Sequence, residues 1–359
     1  MVDEESEDNT TARWQAPDSL IWLITSRCNL SCRTCYVAER FASEPELDTA
    51  AAERMLDEAL DMGVEYVGFT GGEALLRPDV FQLMARSRAR GVRTTVVTNG
   101  LALTEEVAAR LSALGVEVYL SVDGVKAETH EMVRGRGTWE KVQAAAARLR
   151  QAGVKFYLVM ALGTHNAAEA PAFPRLASSW GARAAIYLPV MPAGKARRDM
   201  TLTSPALCRV VREVEREAEK LRFPVWLWCL PFAGLIVRSP YVYYYSCRAC
   251  TELDVGPAGE VLLCDVLDMR LGNVREGLAR VWARQAKHPL VRALAEPQLS
   301  SPCLDCPVKE ECAGGCFARA YLMKGDLLAP DPLCPRVAAS QVLERRGKDF
   351  GGDQAEVGA

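Results

Sequence analysis

The sequence predicts an α/β protein: a partial (β/α)6 TIM-like barrel followed by a small cysteine-rich domain. Two patterns predict it. Short apolar runs alternate with amphipathic stretches at even spacing from Ser19 to about Leu188, which is the pattern of repeated βα units around a parallel sheet. The rhythm breaks from Met191, and beyond residue 246 the chain becomes dense in Cys, Gly and Pro and short on periodic apolar faces. The core of that region is therefore expected to be organised around metal.

Taken in order, residues 1–18 read as a flexible N-terminus and residues 19–190 as the barrel, with strands at Leu20 to Thr25, Glu65 to Thr70, Val92 to Thr98, Glu117 to Val122, Lys155 to Leu162 and Ala184 to Leu188. Thr49 to Met62 has helical periodicity behind an N-cap at Asp48. Thr104 opens another helix, with Glu105 and Glu106 in its first turn. Residues 191–246 read as a bridge, with one helix near Ser204 to Leu221 and an aromatic stretch that includes Trp226, Trp228 and Tyr243 to Tyr245. The cysteine-rich domain takes residues 247–336. Residues 337–359 read as a C-terminal helix that ends in the disordered tail KDFGGDQAEVGA.

Composition removes several classes. The 43 basic and 46 acidic residues are interspersed, so no basic stripe is present to neutralise phosphates and a nucleic-acid partner is not expected. The opening MVDEESEDNT is acidic and polar, unlike an export signal, and no apolar run approaches a membrane span, so a cytosolic protein is expected. Thirteen cysteines in such a chain point to metal or cluster ligation, because disulfide frameworks belong to small secreted domains.

The first chemical motif is Cys28, Cys32 and Cys35, spaced CxxxCxxC in the loop directly after the first strand. Three thiolates on one loop leave one iron of a 4Fe-4S cluster without a protein ligand. That iron can chelate the amino and carboxylate groups of a methionine moiety. Each following strand also ends in a polar or glycine motif, where parallel barrels assemble their sites: Gly71-Gly72-Glu73, then Thr98-Asn99-Gly100, then Ser121-Val122-Asp123-Gly124. The two glycines let the backbone approach a ligand, and the Glu73 carboxylate can accept hydrogen bonds from an ammonium.

The second motif is Cys247, eleven residues, Gly259, four residues, Cys264, then Cys303-x2-Cys306-x5-Cys312-x3-Cys316 and a last Cys334. Paired thiolates of this kind suit tetrahedral zinc or a cluster corner.

Together these motifs resemble the radical S-adenosylmethionine superfamily over the whole βα region, and the C-terminal array resembles its SPASM extension. The resemblance implies that Cys28, Cys32 and Cys35 hold a catalytic 4Fe-4S cluster. It also implies that Gly71, Gly72 and Glu73 contact the methionine amino group, and that Ser121 and Arg134 bind its carboxylate. Asn99 and Asp123 belong to the same cofactor-binding set. Ala74 replaces the usual proline, and Thr34 stands where the family usually has an aromatic or histidine near the adenine.

Two auxiliary 4Fe-4S clusters are likewise implied, one on Cys303, Cys306, Cys312 and Cys334, the other on Cys247, Cys264 and Cys316, with Cys250 placed to complete it. Asp265 resembles the proposed base of sulfatase-maturing members, and a base beside an electron-accepting cluster suits a two-electron oxidation. Cys208 and Cys229 read first as small packing residues and second as hydrogen-atom donors. His130, His165 and His288 form no metal or triad spacing, while Lys195, Arg197 and Arg198 read as a solvated loop or a clamp for a substrate anion.

The implied function is a radical oxidoreductase or maturase that abstracts hydrogen from an unactivated carbon of a ribosomal peptide or of a cofactor precursor, as in pyrroloquinoline quinone and haem routes. A flavodoxin- or ferredoxin-type reductant is implied. Only 27 residues precede the triplet, so a peptide substrate is expected to need a separate leader-binding protein or none. A carbohydrate or aminoglycoside dehydrogenase or epimerase is the second reading, and a non-catalytic zinc-binding interaction module is the third.

Overall fold

The structure, a computed structural model, describes residues 16–37, 40–41 and 45–350, so residues 1–15 of the expected flexible N-terminus and 351–359 of the expected tail lie outside the described residues. Six strands follow the barrel repeats: β1 (Ser19–Thr25), β2 (Tyr66–Gly71), β3 (Arg93–Thr98), β4 (Glu117–Ser121), β5 (Phe156–Leu162) and β6 (Ala185–Pro189). They pair in sequence order and all in parallel, each within a residue of its expected bounds.

Six helices cross between them or follow them: α1 (Thr49–Asp61), α2 (Val80–Ala89), α3 (Glu105–Leu114), α4 (Ala127–Arg134), α5 (Trp139–Gln151) and α6 (Phe173–Trp180). The expected caps form, since the Asp48 side chain accepts from Ala51 N and that of Thr104 accepts from Val107 N. Each satisfies an amide that the first helical turn leaves unpaired.

The sheet does not stop at six strands. After α7 (Ser204–Leu221), the short β7 (Val225–Leu227) and β8 (Val242–Tyr244) continue it in parallel, inside the segment expected only to bridge. Three residues are too few to show a strand period, which is why the pattern hid them. On the opposite edge β9 (Glu252–Val255) pairs in parallel with β1, while β10 (Glu260–Leu262) and β11 (Arg270–Asn273) add on antiparallel. The cysteine-rich region therefore extends the barrel sheet from its first strand.

The expectation that metal alone organises this region needs correcting. One apolar cluster runs from the barrel through Leu253, Val261, Leu267 and Leu278 to Val281, Trp282, Val291 and Leu333. The helix α8 (Leu278–Lys287) supplies much of it, and its first amide, Leu278 N, donates to Glu58 Oε2 of α1 at 2.6 Å. Burying each such Leu, Val or Trp contributes about 1.5–3 kcal/mol, so the region has an ordinary core as well as its thiols. Its apolar positions are spread over short elements, so no long periodic face advertises them. After α9 (Pro289–Ala295), α10 (Lys309–Cys312) and α11 (Phe317–Lys324), α12 (Pro335–Phe350) closes the described chain. Among the described residues no helix is long and apolar enough to cross a membrane.

Candidate active site

The loop after β1 carries the cysteine triplet, and neighbouring segments hold it on several sides. Glu46 clasps its start, accepting from Thr25 Oγ1 at 2.7 Å and Ser26 N at 2.8 Å. At the end of β2, Gly72 N donates to Thr25 O and Glu73 N to Arg27 O, both at 2.8 Å. A Cβ on Gly71 would stand 2.4 Å from Thr25 O, and one on Gly72 only 2.2 Å from Arg27 O. The close approach these glycines permit is thus to the cysteine loop itself, whereas the sequence suggested an approach to a ligand.

Farther along the loop, Arg33 N donates to Val133 O in α4, Lys195 N to Cys35 O, and Lys195 Nζ to Ser31 Oγ. Lys195 is thereby committed to the loop. Arg197 pairs with Asp199, and Arg198 donates to Leu322 O, so these three side chains are engaged within the chain and are not gathered as a clamp.

Cys28 is exposed, and Cys32 and Cys35 are half-buried, each within electrostatic reach of the others. Burial pushes the Cys32 thiol up to about 11, and the nearby Arg134 guanidinium opposes the shift. Asp123 aims that guanidinium: fully buried, it accepts from Arg134 Nε at 2.7 Å and from Ala161 N at 2.8 Å. Asn99 Nδ2 lies 3.9 Å from Cys28 Sγ and donates to Asn29 Oδ1. Ser121 ends β4, nearly buried. The ends of β2, β3 and β4 and the last turn of α4 therefore meet around the three thiols, as the motif order implied.

Glu73 is turned inward. It is 1% exposed and accepts from Thr98 Oγ1, Asn99 N and Leu75 N. Burial raises its carboxyl pKa, and these bonds counter the shift. The carboxylate thus ties the ends of β2 and β3 together, and any ammonium would share it with those donors.

Behind Arg134, buried His130 accepts from Asp123 N through Nδ1 at 3.2 Å, and burial lowers its pKa to about 4. An unfolded histidine titrates near 6.5, so from there down to about 4 only the unfolded chain takes up this proton. The stability contributed by neutral His130 is full above about pH 6.5 and is lost as pH falls, at about 1.4 kcal/mol per unit. Denaturant titrations of apo-protein should show this slope flattened in a His130→Asn variant. An identical slope in both proteins would remove His130 as the cause.

The C-terminal thiols form two groups. Cys303, Cys306, Cys312 and Cys334 line one pocket together with Lys309 and Arg336. Cys247, Cys264 and Cys316 are within electrostatic reach of one another in a second group. Between them stands Arg248, which is 2% exposed. Its Nε donates to Gly315 O at 2.6 Å, while Nη1 and Nη2 are buried without a partner. Its electrostatic neighbours are Cys316, Cys247, Cys250 and Cys312, drawn from both groups. A buried cation facing two sets of thiols, with donors to spare, fits anionic iron-sulfur clusters held there as thiolates.

Asp265 connects the inner group to the triplet. Its Oδ2 accepts from the Tyr36 hydroxyl at 2.7 Å, directly after Cys35, and Cys264 Sγ donates to its Oδ1 at 3.7 Å. Burial raises its carboxyl pKa, with buried Asp254 and half-buried Glu252 close by. Sequence reasoning missed Tyr36, since its partner lies 229 residues away.

The two remaining cysteines separate. Cys208 is buried in α7, its thiol hydrogen-bonded to Ser204, in a packing position. Cys229 instead joins the inner thiol group, within electrostatic reach of Cys316, Cys247 and Cys264, and its neighbouring thiol draws that of Cys316 down to about 7.

A parallel barrel with a three-cysteine loop at its first strand end, extended by a cysteine-rich sheet, defines an iron-sulfur enzyme class. The Radical SAM superfamily model matches residues 22–176, and the SPASM iron-sulfur cluster-binding domain model matches residues 246–307. The AdoMet-dependent heme synthase of Methanosarcina barkeri is 30% identical over 90% of this chain and 97% of its own length. The mycofactocin maturase MftC of Mycobacterium tuberculosis is 31% identical over 92% of this chain and 86% of its own. Among solved structures, SuiB of Streptococcus suis bound to precursor peptide SuiA superposes with TM-score 0.74 at 17% identity, covering 93% of this chain and 82% of that one. Native anSMEcpe with bound AdoMet and the Cp18Cys peptide superposes with TM-score 0.72 at 19% identity, covering 92% and 99%. The chain belongs to the radical SAM superfamily, as an enzyme with a C-terminal SPASM domain.

Proposed function

We propose that this enzyme removes hydrogen from an unactivated carbon of a ribosomal peptide or of a cofactor precursor, with S-adenosylmethionine bound at Cys28, Cys32 and Cys35. Two auxiliary 4Fe-4S clusters would be held by the two C-terminal thiol groups, and a flavodoxin- or ferredoxin-type protein in the cytosol would supply electrons. When bound, the cofactor and clusters supply a hydrogen-abstracting 5′-deoxyadenosyl radical and an electron sink. The chain supplies the rest. Arg134, held by Asp123, together with Ser121, receives the methionine carboxylate; Asn99 belongs to the same cofactor-binding set, and Glu73, Gly71 and Gly72 set the rim where the ammonium sits. Asp265 takes the proton that a substrate oxidation releases.

The observation that carries this reading is Asp265, which bonds at once to Tyr36 beside the catalytic loop and to Cys264 of the inner thiol group. Burial raises the proton affinity of this carboxylate, which suits it to take up a proton released from a substrate. Relatives named AdoMet-dependent heme synthase and PqqA peptide cyclase support the two substrate classes.

The test is a panel of porphyrin precursors and candidate peptides, supplied with S-adenosylmethionine and reductant, followed for substrate-dependent 5′-deoxyadenosine and for product mass. Oxidation removes two hydrogens. A product of unchanged formula that gains one mass unit in deuterated water would mean epimerisation and overturn the oxidase assignment. Asp265→Asn should still cleave the cofactor but lose product about 100-fold or more. Unchanged product yield would remove Asp265 from the reaction.

A further inference from the structure

We propose that Cys229 is the fourth thiol ligand of the inner auxiliary cluster, beside Cys247, Cys264 and Cys316, a role no CxxC spacing announces. The inference rests on the two-cluster reading above. Cys229 follows β7 in the sequence WLWCLP, 18 residues before Cys247, and the sequence suggests packing or hydrogen-atom donation for it, not ligation. In the structure Arg319 bonds both Cys229 O and Cys316 Sγ, and the Cys229 thiol lies within electrostatic reach of Cys316, Cys247 and Cys264, so it sits with all three members of the group.

Its backbone is held for this purpose. Cys229 has φ +54°, a left-handed conformation that an L-residue adopts only where its surroundings demand it. Those surroundings are specific. Arg319 Nη2 donates to Cys229 O at 2.7 Å, while Arg319 N donates to Cys316 Sγ at 3.4 Å. Arg319 is itself paired with Asp331, and Asp331 Oδ2 accepts from Cys316 N at 3.0 Å. One buried ion pair thus fixes Cys229 and Cys316 relative to each other. On the barrel side, Trp228 N donates to Tyr187 O at 2.9 Å, anchoring the segment to β6.

Ligation would replace the hydrogen of the Cys229 thiol with an iron-sulfur bond. The proton goes to solvent and no electron is transferred. The cluster then ties the far end of the barrel sheet, at β7, to the cysteine-rich region that extends it from β1. Cys250, in the left-handed turn that ends the short helix over Cys247–Ala249, then lies beside the cluster without ligating it.

The test compares anaerobically reconstituted wild type, Cys229→Gly, Cys229→Ser and Cys250→Ser by iron and sulfide content and by EPR of the reduced proteins. Glycine suits the left-handed backbone, so apo-protein melting should be unchanged in Cys229→Gly and a loss of cluster cannot be put down to misfolding. Wild type should hold about twelve irons and Cys229→Gly about eight, with the inner-cluster signal gone. Cys229→Ser, which keeps the size of the side chain and offers an oxygen ligand, should retain iron with a shifted signal, and Cys250→Ser should match wild type. Full iron with an unaltered spectrum in Cys229→Gly overturns the assignment, as does loss of the inner signal in Cys250→Ser alone. A wild type that holds only about four irons overturns the two-cluster reading as well.

Discussion

Cys28→Ala, Cys32→Ala and Cys35→Ala proteins, reconstituted anaerobically, are expected to form no 5′-deoxyadenosine from S-adenosylmethionine and to hold about four fewer irons than wild type. The expectation rests on where the thiols stand. The ends of β2, β3 and β4 and the guanidinium of Arg134 converge on this one loop. The loop is bonded to Gly72, Glu73, Val133 and Lys195 through its backbone and Ser31, while Cys28 Sγ accepts the longer bonds from Leu30 N at 3.4 Å and Asn99 Nδ2 at 3.9 Å. Losing a thiol should therefore leave the fold intact. Because Cys28 is exposed and the other two only half-buried, apo-protein unfolding should shift by no more than about 0.5–1 kcal/mol. A variant that still yields the nucleoside at a tenth of the wild-type rate would place the cofactor elsewhere.

Asp331→Ala is expected to be the most damaging single change to folding, lowering apo-protein stability by about 3–5 kcal/mol in denaturant titration. Asp331 and Arg319 are each 1% exposed and pair side-on, with both carboxylate oxygens against the Nε and Nη2 edge of the guanidinium. The carboxylate also accepts from Cys316 N and Leu333 N, so it sets the turns leading to Cys316 and Cys334. Removing it strands a buried cation and frees amides beside two thiol groups at once. Iron content should fall along with stability, and the double variant Arg319→Met/Asp331→Leu should recover most of the stability but not the iron. A loss below about 1 kcal/mol in Asp331→Ala would mean that water replaces the carboxylate and that the pair is not structural.

Much of the barrel was legible because a parallel sheet covered on both faces writes itself as apolar runs, and β1 to β6 each fall within a residue of their expected place. The triplet and the strand-end motifs were legible because barrel sites collect at strand ends. By contrast β7 and β8, three residues each, carry no readable period. The core around Val281 and Trp282 is spread across short elements, and Tyr36 and Asp265 meet across 229 positions of sequence. Glu73 marks the boundary between the two. Its place at the site could be read, but its three internal donors could not.

By itself, then, the sequence determined the six parallel strands, the family resemblance and that Cys28, Cys32 and Cys35 share one loop, since local periodicity and close spacing decide those. Only the tertiary structure decided that the cysteine-rich region joins the barrel sheet through β9. The same holds for the buried guanidinium of Arg248 between two thiol groups and for Cys229 as a member of one of them. Contacts between distant segments depend on how strands pair and on which charges folding excludes from water, and neither leaves a mark on neighbouring residues.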